Sequence, residues 1–125
     1  MKQSNSTKSC VRTLRDAQQI ERCKQLVSAD RAEVAAAAGK FAICGSPLRL
    51  SILRLLDVEE ELCVCDLAEI LEVSVAGASQ QLRKLREVDA ITSRRAGNTI
   101  YHSVTPDFHR WLSRTTDLFT QPAMQ

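Results

Sequence analysis

Glu61-Leu62-Cys63-Val64-Cys65-Asp66-Leu67-Ala68 is the stretch from which the fold can be read. It sets two thiols two residues apart at what reads as the entrance to a helix over about Val64–Leu71. Val64, Leu67, Ala68 and Leu71 recur at three- and four-residue intervals and give that helix one inward face. Glu72-Val73 is a tight connection, and Ser74 offers a side-chain oxygen to cap a second helix running to about Arg86. Val75, Ala78, Leu82 and Leu85 fall inside that helix. Two short helices joined by a few residues form the helix-turn-helix pattern. Ile91–Arg95 and Thr99–Val104 then read as strands turned by Ala96-Gly97-Asn98. The fold expected is mainly α with a small β-hairpin, a winged helix-turn-helix.

Toward the N-terminus, Val11, Leu14, Ala17, Ile20, Cys23 and Val27 make a helical stripe over Val11–Val27. An alanine-rich helix follows from about Arg31 to Cys44, with Ala37, Phe41 and Cys44 on one face. Gly45 suits its end, because glycine reaches positive φ without steric cost. Ser46 and Pro47 suit the N-cap and first turn of a helix over Pro47–Leu56 that buries Leu48, Ile52, Leu55 and Leu56. Thr105-Pro106 starts a last helix with Phe108, Trp111, Leu112, Leu118 and Phe119 on one side. Met1–Ser9 reads as a disordered polar tail. The chain divides into an arm with the first helix, 1–29, and a winged domain with a C-terminal dimerisation helix, 30–125.

A hydrophobic content of 44% suffices for a core, and 4% aromatic residues leave aliphatic side chains to pack it. At 125 residues a subunit buries a limited share of its surface, which leaves room for a homodimer without requiring one. No apolar run is long enough for a bilayer and no secretory leader appears, so a cytoplasmic protein without a membrane partner is expected. Five cysteines, an odd number, point to metal or redox chemistry rather than to a disulfide framework.

The net charge of +2 conceals a pattern: Asp57–Glu72 holds seven acids and no base, and Arg83–Arg95 holds five bases and two acids. The basic block carries the expected double-stranded DNA surface. In the second helix of the pair, Ala76 permits close approach to a major groove. Ser79, Gln80 and Gln81 offer hydrogen bonds there. Arg83, Lys84, Arg94 and Arg95 can neutralise phosphates, the main source of affinity.

Four segments carry a family resemblance: Ser46-Pro47-Leu48-Arg49-Leu50, Glu61 to Ala68, Ala78 to Arg86, and Gly97-Asn98-Thr99-Ile100-Tyr101. The chain resembles the ArsR/SmtB family of bacterial metal-responsive repressors. The resemblance implies a dimer that holds operator DNA without metal and releases it when metal binds. Cys-Val-Cys-Asp-Leu-Ala looks most like the cadmium/lead branch. The arsenic branch adds a third cysteine on this helix, where Ala68 stands here. Family members with zinc on the last helix use paired Asp/His and His/Glu ligands. Here Asp107 and His109 are one residue out of register, and Thr120 and Ala123 stand where the second pair would follow, so that site is not expected. Asp107 reads as a helix-start residue and His109 as a solvated or DNA-near side chain.

Residues i and i+2 of a helix point about 200° apart, so Cys63 and Cys65 can share an ion only if Cys63 lies outside the helix. The helix N-terminus favours the ligating thiolate, and the acids Glu59, Glu60, Glu61 and Asp66 oppose it. Two thiolates seldom complete a site for cadmium, lead or zinc. Cys10 in the tail is the expected third ligand, Cys23 reads equally as a fourth ligand or as a core or dimer-packing residue, and Cys44 reads as a small hydrophobe. The branch resembled recruits N-terminal thiols from the other subunit.

The effector expected is therefore a thiophilic ion, cadmium or lead first, with zinc, mercury or trivalent arsenic open. Three rivals stand beside it: an arsenite/antimonite-responsive repressor, a repressor responding to thiol oxidation, and a thiol metal carrier without DNA. The basic block argues against the carrier. No Gly-rich phosphate loop, Cys-x-x-Cys pair or acid/base constellation suggests an enzyme.

Overall fold

The order of elements follows from local capping chemistry. A computed structural model describes residues 11–119 and gives six α-helices and three strands in that span. The described residues fall into two compact units divided between Ala35 and Ala36.

The first unit holds α1 (Ala17–Ala29) and the start of α2 (Arg31–Cys44). α1 begins at Ala17 rather than Val11, because the Asp16 carboxylate accepts the Gln19 N–H at 2.9 Å and caps the helix there. Val11 and Leu14 lie outside it. No residue of α1 is buried, and Leu26, Val27 and Val34 are exposed. Cys10 and the Met1–Ser9 tail lie outside the described residues, as do Thr120 and Ala123.

The second unit contains the core. Gly45 ends α2 by donating its N–H to the Ala42 carbonyl at 3.1 Å, without the left-handed backbone that the sequence suggested. Ser46 caps α3 (Pro47–Glu59) by accepting the Arg49 N–H at 3.3 Å. α3 runs three residues past Leu56 and buries Ile52, Leu53 and Leu56; Leu48 and Leu55 stay half-buried at the edge of the core. α4 (Val64–Leu71) contributes Leu67 and Ala68, and its C-terminal neighbour Glu72 adopts the left-handed conformation (φ 58°, ψ 46°). That single residue turns the chain into α5 (Val75–Glu87), whose Ala78, Leu82 and Leu85 are buried.

β2 (Ile91–Ala96) and β3 (Thr99–Val104) pair in antiparallel register, Ile91 opposite Val104 and Ala96 opposite Thr99. The loop between them is the two residues Gly97-Asn98, with φ +63° at Gly97, the residue type that this position of a tight hairpin requires. A third strand, β1 (Leu62–Cys63), joins β3, so the sheet order is β1-β3-β2 and the expected hairpin is a three-stranded sheet.

α6 (Pro106–Thr115) is shorter than its apolar pattern suggests. Extended backbone at Thr116 breaks it, and a 3-10 turn over Asp117–Phe119 folds Phe119 back into the core beside Phe108 and Leu112. Leu118 is exposed instead of sharing that face. Trp111 packs edge-on against Phe41 of α2, centroids 5.0 Å apart. The second unit is a winged helix-turn-helix: α4 and α5 are the helix pair and β2–β3 the wing.

Candidate nucleic-acid interface and thiol site

α5 presents one exposed face made of Ala76, Gln80, Arg83 and Lys84, residues spaced at helical intervals opposite the buried Ala78, Leu82 and Leu85. Its start is fixed by Ser74, whose Oγ accepts the Gly77 N–H at 2.9 Å. Two residues expected on this face point elsewhere. Gln81 is half-buried, and its Oε1 accepts from Arg49 of α3 at 3.0 Å. Ser79 turns toward the wing, where it lines a cleft of about 330 Å³ with Arg86, Ser93 and His102.

The two wing arginines separate by strand alternation, since successive side chains in a strand point to opposite faces. Leu62, His102 and Ser93 form one cross-strand row, and Leu62 packs on the core, so this face looks inward. Arg95 pairs with Ile100 on the same inward face, whose Ser93, Ile100 and His102 line the cleft against α5. Arg94 belongs to the next row, Cys63–Tyr101–Arg94, on the outer face. There it is already engaged. Its Nε and Nη2 donate to the two carboxylate oxygens of Glu61 at 2.7 and 2.6 Å. Its guanidinium also lies 5.0 Å from the Tyr101 ring centroid. The hydrogen bond from Arg94 holds the Glu61 carboxyl below its ordinary range, against a smaller opposing effect of desolvation.

His102 is a buried polar group that helical and strand periodicity do not mark as functional. It is 5% exposed, and its Nδ1 lies 2.9 Å from the Ser93 hydroxyl. Burial, and secondarily the nearby Arg86 cation, push its pKa down. His109 keeps a solvent-exposed side chain but is held on the scaffold rather than on the α5 face. Its Nδ1 meets Asp57 of α3 at 2.7 Å and its Nε2 lies 3.3 Å from Ser113 Oγ. Asp107 lies in the first turn of α6, as expected, and pairs with Arg110.

Cys63 meets the one condition that helix geometry sets for sharing an ion with Cys65, a place outside the helix. Cys63 is the N-cap of α4, in extended backbone (φ −89°, ψ 166°), and pairs with Tyr101 in the sheet. Cys65 is the second residue of the helix and is exposed. Cys63 therefore stands outside the helix, and its side chain lies on the outer face of the sheet. Two accessible soft donors at a helix N-terminus suit half of a thiophilic-metal site. Among the described residues no three His, Cys, Asp or Glu side chains gather closely enough to complete one. Cys23 is exposed on α1. Cys44 is half-buried against the core, where burial pushes its thiol pKa up and Arg49 opposes it, which suits a packing role.

Residues 46–93 match the family described as "Bacterial regulatory protein, arsR family". The cadmium resistance transcriptional regulatory protein CadC of Listeria innocua is 38% identical over 66 residues, 53% of this chain and 56% of that protein. The arsenical resistance operon repressor of Escherichia coli is 34% identical over 77 residues, 62% of this chain and 66% of that protein. The chain thus spans about half to two thirds of these relatives. The crystal structure of NolR from Sinorhizobium fredii superposes with a TM-score of 0.62 at 33% identity, covering 72% of this chain and 90% of that one.

Proposed function

The chain belongs to the arsR family of bacterial regulatory proteins, and from that premise we propose that it is a metal-responsive transcriptional repressor. In this reading a homodimer occupies two-fold symmetric operator DNA when free of metal. It leaves the operator when a thiophilic ion, cadmium or lead, binds Cys63 and Cys65. The observation that carries the reading is the double attachment of Cys63: it stands at the N-cap position of α4, the first helix of the helix-turn-helix, and pairs with β3, the wing strand at the middle of the sheet. A perturbation at that thiol acts on the wing through β3 and reaches α5 through the helix α4 packed against it.

In this account α5 enters the major groove. Ala76 and Gln80 meet base edges, and Arg83 and Lys84 meet phosphates, with Arg95 reaching phosphate from the inward face of the wing. Ser79 serves at the junction of helix and wing, and Gln81 positions α5 through Arg49. The apolar residues left exposed in the first unit, Leu26, Val27 and Val34, suit contact with a second copy. A bound ion supplies positive charge that stabilises thiolates among the acids of this segment. Two thiolates need further soft donors, which Cys10 and Cys23, from the same or the other subunit, provide. Cadmium or lead is favoured over trivalent arsenic by Ala68, which is 4% exposed where the arsenic branch carries its third thiol.

Titration with cadmium, lead and arsenite, read by ultraviolet thiolate absorption on wild type and on serine variants of each cysteine, tests the ligand set. Loss of absorbance in Cys63→Ser, Cys65→Ser and at least one of Cys10→Ser and Cys23→Ser is expected, with cadmium or lead binding more tightly than arsenite. Unchanged titrations in Cys63→Ser and Cys65→Ser contradict the site.

A further inference from the structure

The Glu61–Arg94 pair is more than two surface charges in proximity. Glu61 immediately precedes β1, and Arg94 lies in β2, at the far side of the three-stranded sheet. The ion pair therefore crosses the middle strand, with the guanidinium resting over Tyr101 of β3. It ties all three strands on the outer face. Cys63 stands on that same face, in the Cys63–Tyr101–Arg94 row, two residues along the chain from Glu61. A carboxylate, a thiol, an aromatic ring and a guanidinium thus share one side of the sheet, opposite the side that looks toward α5.

This arrangement offers Glu61 a choice between two cationic partners. We propose that the Glu61 carboxylate serves Arg94 while the thiols are free and turns to the ion held at Cys63 and Cys65 when they are occupied. The strap over Tyr101 then opens and the wing loses its tie to the thiol segment. Glu61 is in this account a positioning residue and an oxygen donor toward the thiol-bound cation. Arg94 is a strut of the wing rather than a phosphate contact. No covalent step is involved; a carboxylate changes counter-ion, and its hard oxygen supplements two soft sulfurs, a mixture that cadmium and lead accept. The inference rests on the thiol-site reading given above.

The test compares wild type, Glu61→Gln and Cys63→Ser. Glutamine keeps the shape of the side chain and removes the charge that makes the fork. The first readout is the ratio of DNA dissociation constants with and without saturating cadmium, measured by fluorescence anisotropy. The second is the Nε–H resonance of Arg94 in nitrogen-15 spectra. In metal-free wild type that proton is expected to exchange slowly with water, and in Glu61→Gln quickly. Adding cadmium to wild type should move it to the fast regime, and adding cadmium to Cys63→Ser should not. The anisotropy ratio in Glu61→Gln should fall to less than about a third of the wild-type ratio, where typical couplings are roughly 5–150-fold. A wild-type ratio retained in Glu61→Gln, or an Arg94 signal indifferent to cadmium in wild type, overturns the inference even if cadmium releases DNA. Absence of any cadmium effect on DNA in wild type instead removes the repressor reading and this inference with it.

Discussion

Arg49 of α3 donates from Nη1 to Oε1 of Gln81 in α5 at 3.0 Å, and from Nε to the Ile43 carbonyl at 2.6 Å. One guanidinium therefore ties the end of α2 and the middle of the recognition helix to the same scaffold helix. A hydrogen bond to a charged, part-buried group is worth about 1.5–3 kcal/mol. Arg49→Ala should lower the unfolding free energy by about that amount, and Gln81→Ala by about 1 kcal/mol. In urea denaturation the double variant should lose less than the sum of the two singles, because they share one interaction. Full additivity would mean the hydrogen bond contributes nothing.

Ser74 and Gly77 form the start of the recognition helix. Ser74→Ala removes the cap accepted from the Gly77 N–H and should cost about 1 kcal/mol. A Cβ at Gly77 would stand 3.0 Å from Ser74 Oγ, so Gly77→Ala should disturb the same cap from the other side. Thermal melts of Ser74→Ala, Gly77→Ala and the double variant check this. With no hydroxyl left to meet, Gly77→Ala should be harmless or stabilising in the Ser74→Ala background, since alanine is the better helix former.

The charges on α5 and the wing should separate by salt dependence. Every phosphate that a substitution leaves without its cation reduces the slope of log K against log salt by about 0.9. Arg83→Ala, Lys84→Ala and Arg95→Ala should each show that decrement. Arg94→Ala should show a much smaller one, because its guanidinium is held by Glu61 on the outer face. Equal slopes for Arg94→Ala and Arg95→Ala would place both on DNA.

His102 makes stability depend on pH in a stated direction. Its folded pKa lies below the ordinary value of 6.5, chiefly through burial. The unfolded chain then takes up the proton more readily than the folded one. The associated stability is complete above pH 6.5 and is lost as pH falls from there through the folded pKa. Denaturation midpoints measured between neutral and mildly acid pH should fall less steeply in His102→Gln than in wild type. Parallel curves would show that this imidazole titrates as it does in water.

Much of the second unit was legible in the sequence because its signals are local. The cap at Ser74, the buried periodicity of α4 and α5 and the Gly97-Asn98 turn each act within a few residues. What the sequence obscured depends on partners distant in the chain. Arg94 and Arg95 are adjacent in a basic run, and only the pairing register assigns them to opposite faces. Glu61 reads as one of seven acids until Arg94, 33 residues on, is seen to grip it. Gln81 and His109 look solvated on their own helices and find their partners on α3. Asp16 caps α1 and moves its start past Val11 and Leu14, although the apolar stripe begins at those residues. Helix geometry requires Cys63 outside the helix if the two thiols are to share an ion, and extended backbone at the N-cap is the arrangement found.

In the proposed repressor, thiol occupancy and DNA occupancy oppose each other within one molecule. The decisive quantity is the dissociation constant for a duplex from upstream of the chain's own gene, with and without cadmium. Wild type should bind the duplex without metal and lose roughly 5–150-fold in affinity when cadmium is saturating. Cys63→Ser should bind the duplex equally in both conditions. Equal affinities in wild type with and without cadmium, or release of Cys63→Ser to the same extent as wild type, would contradict the account.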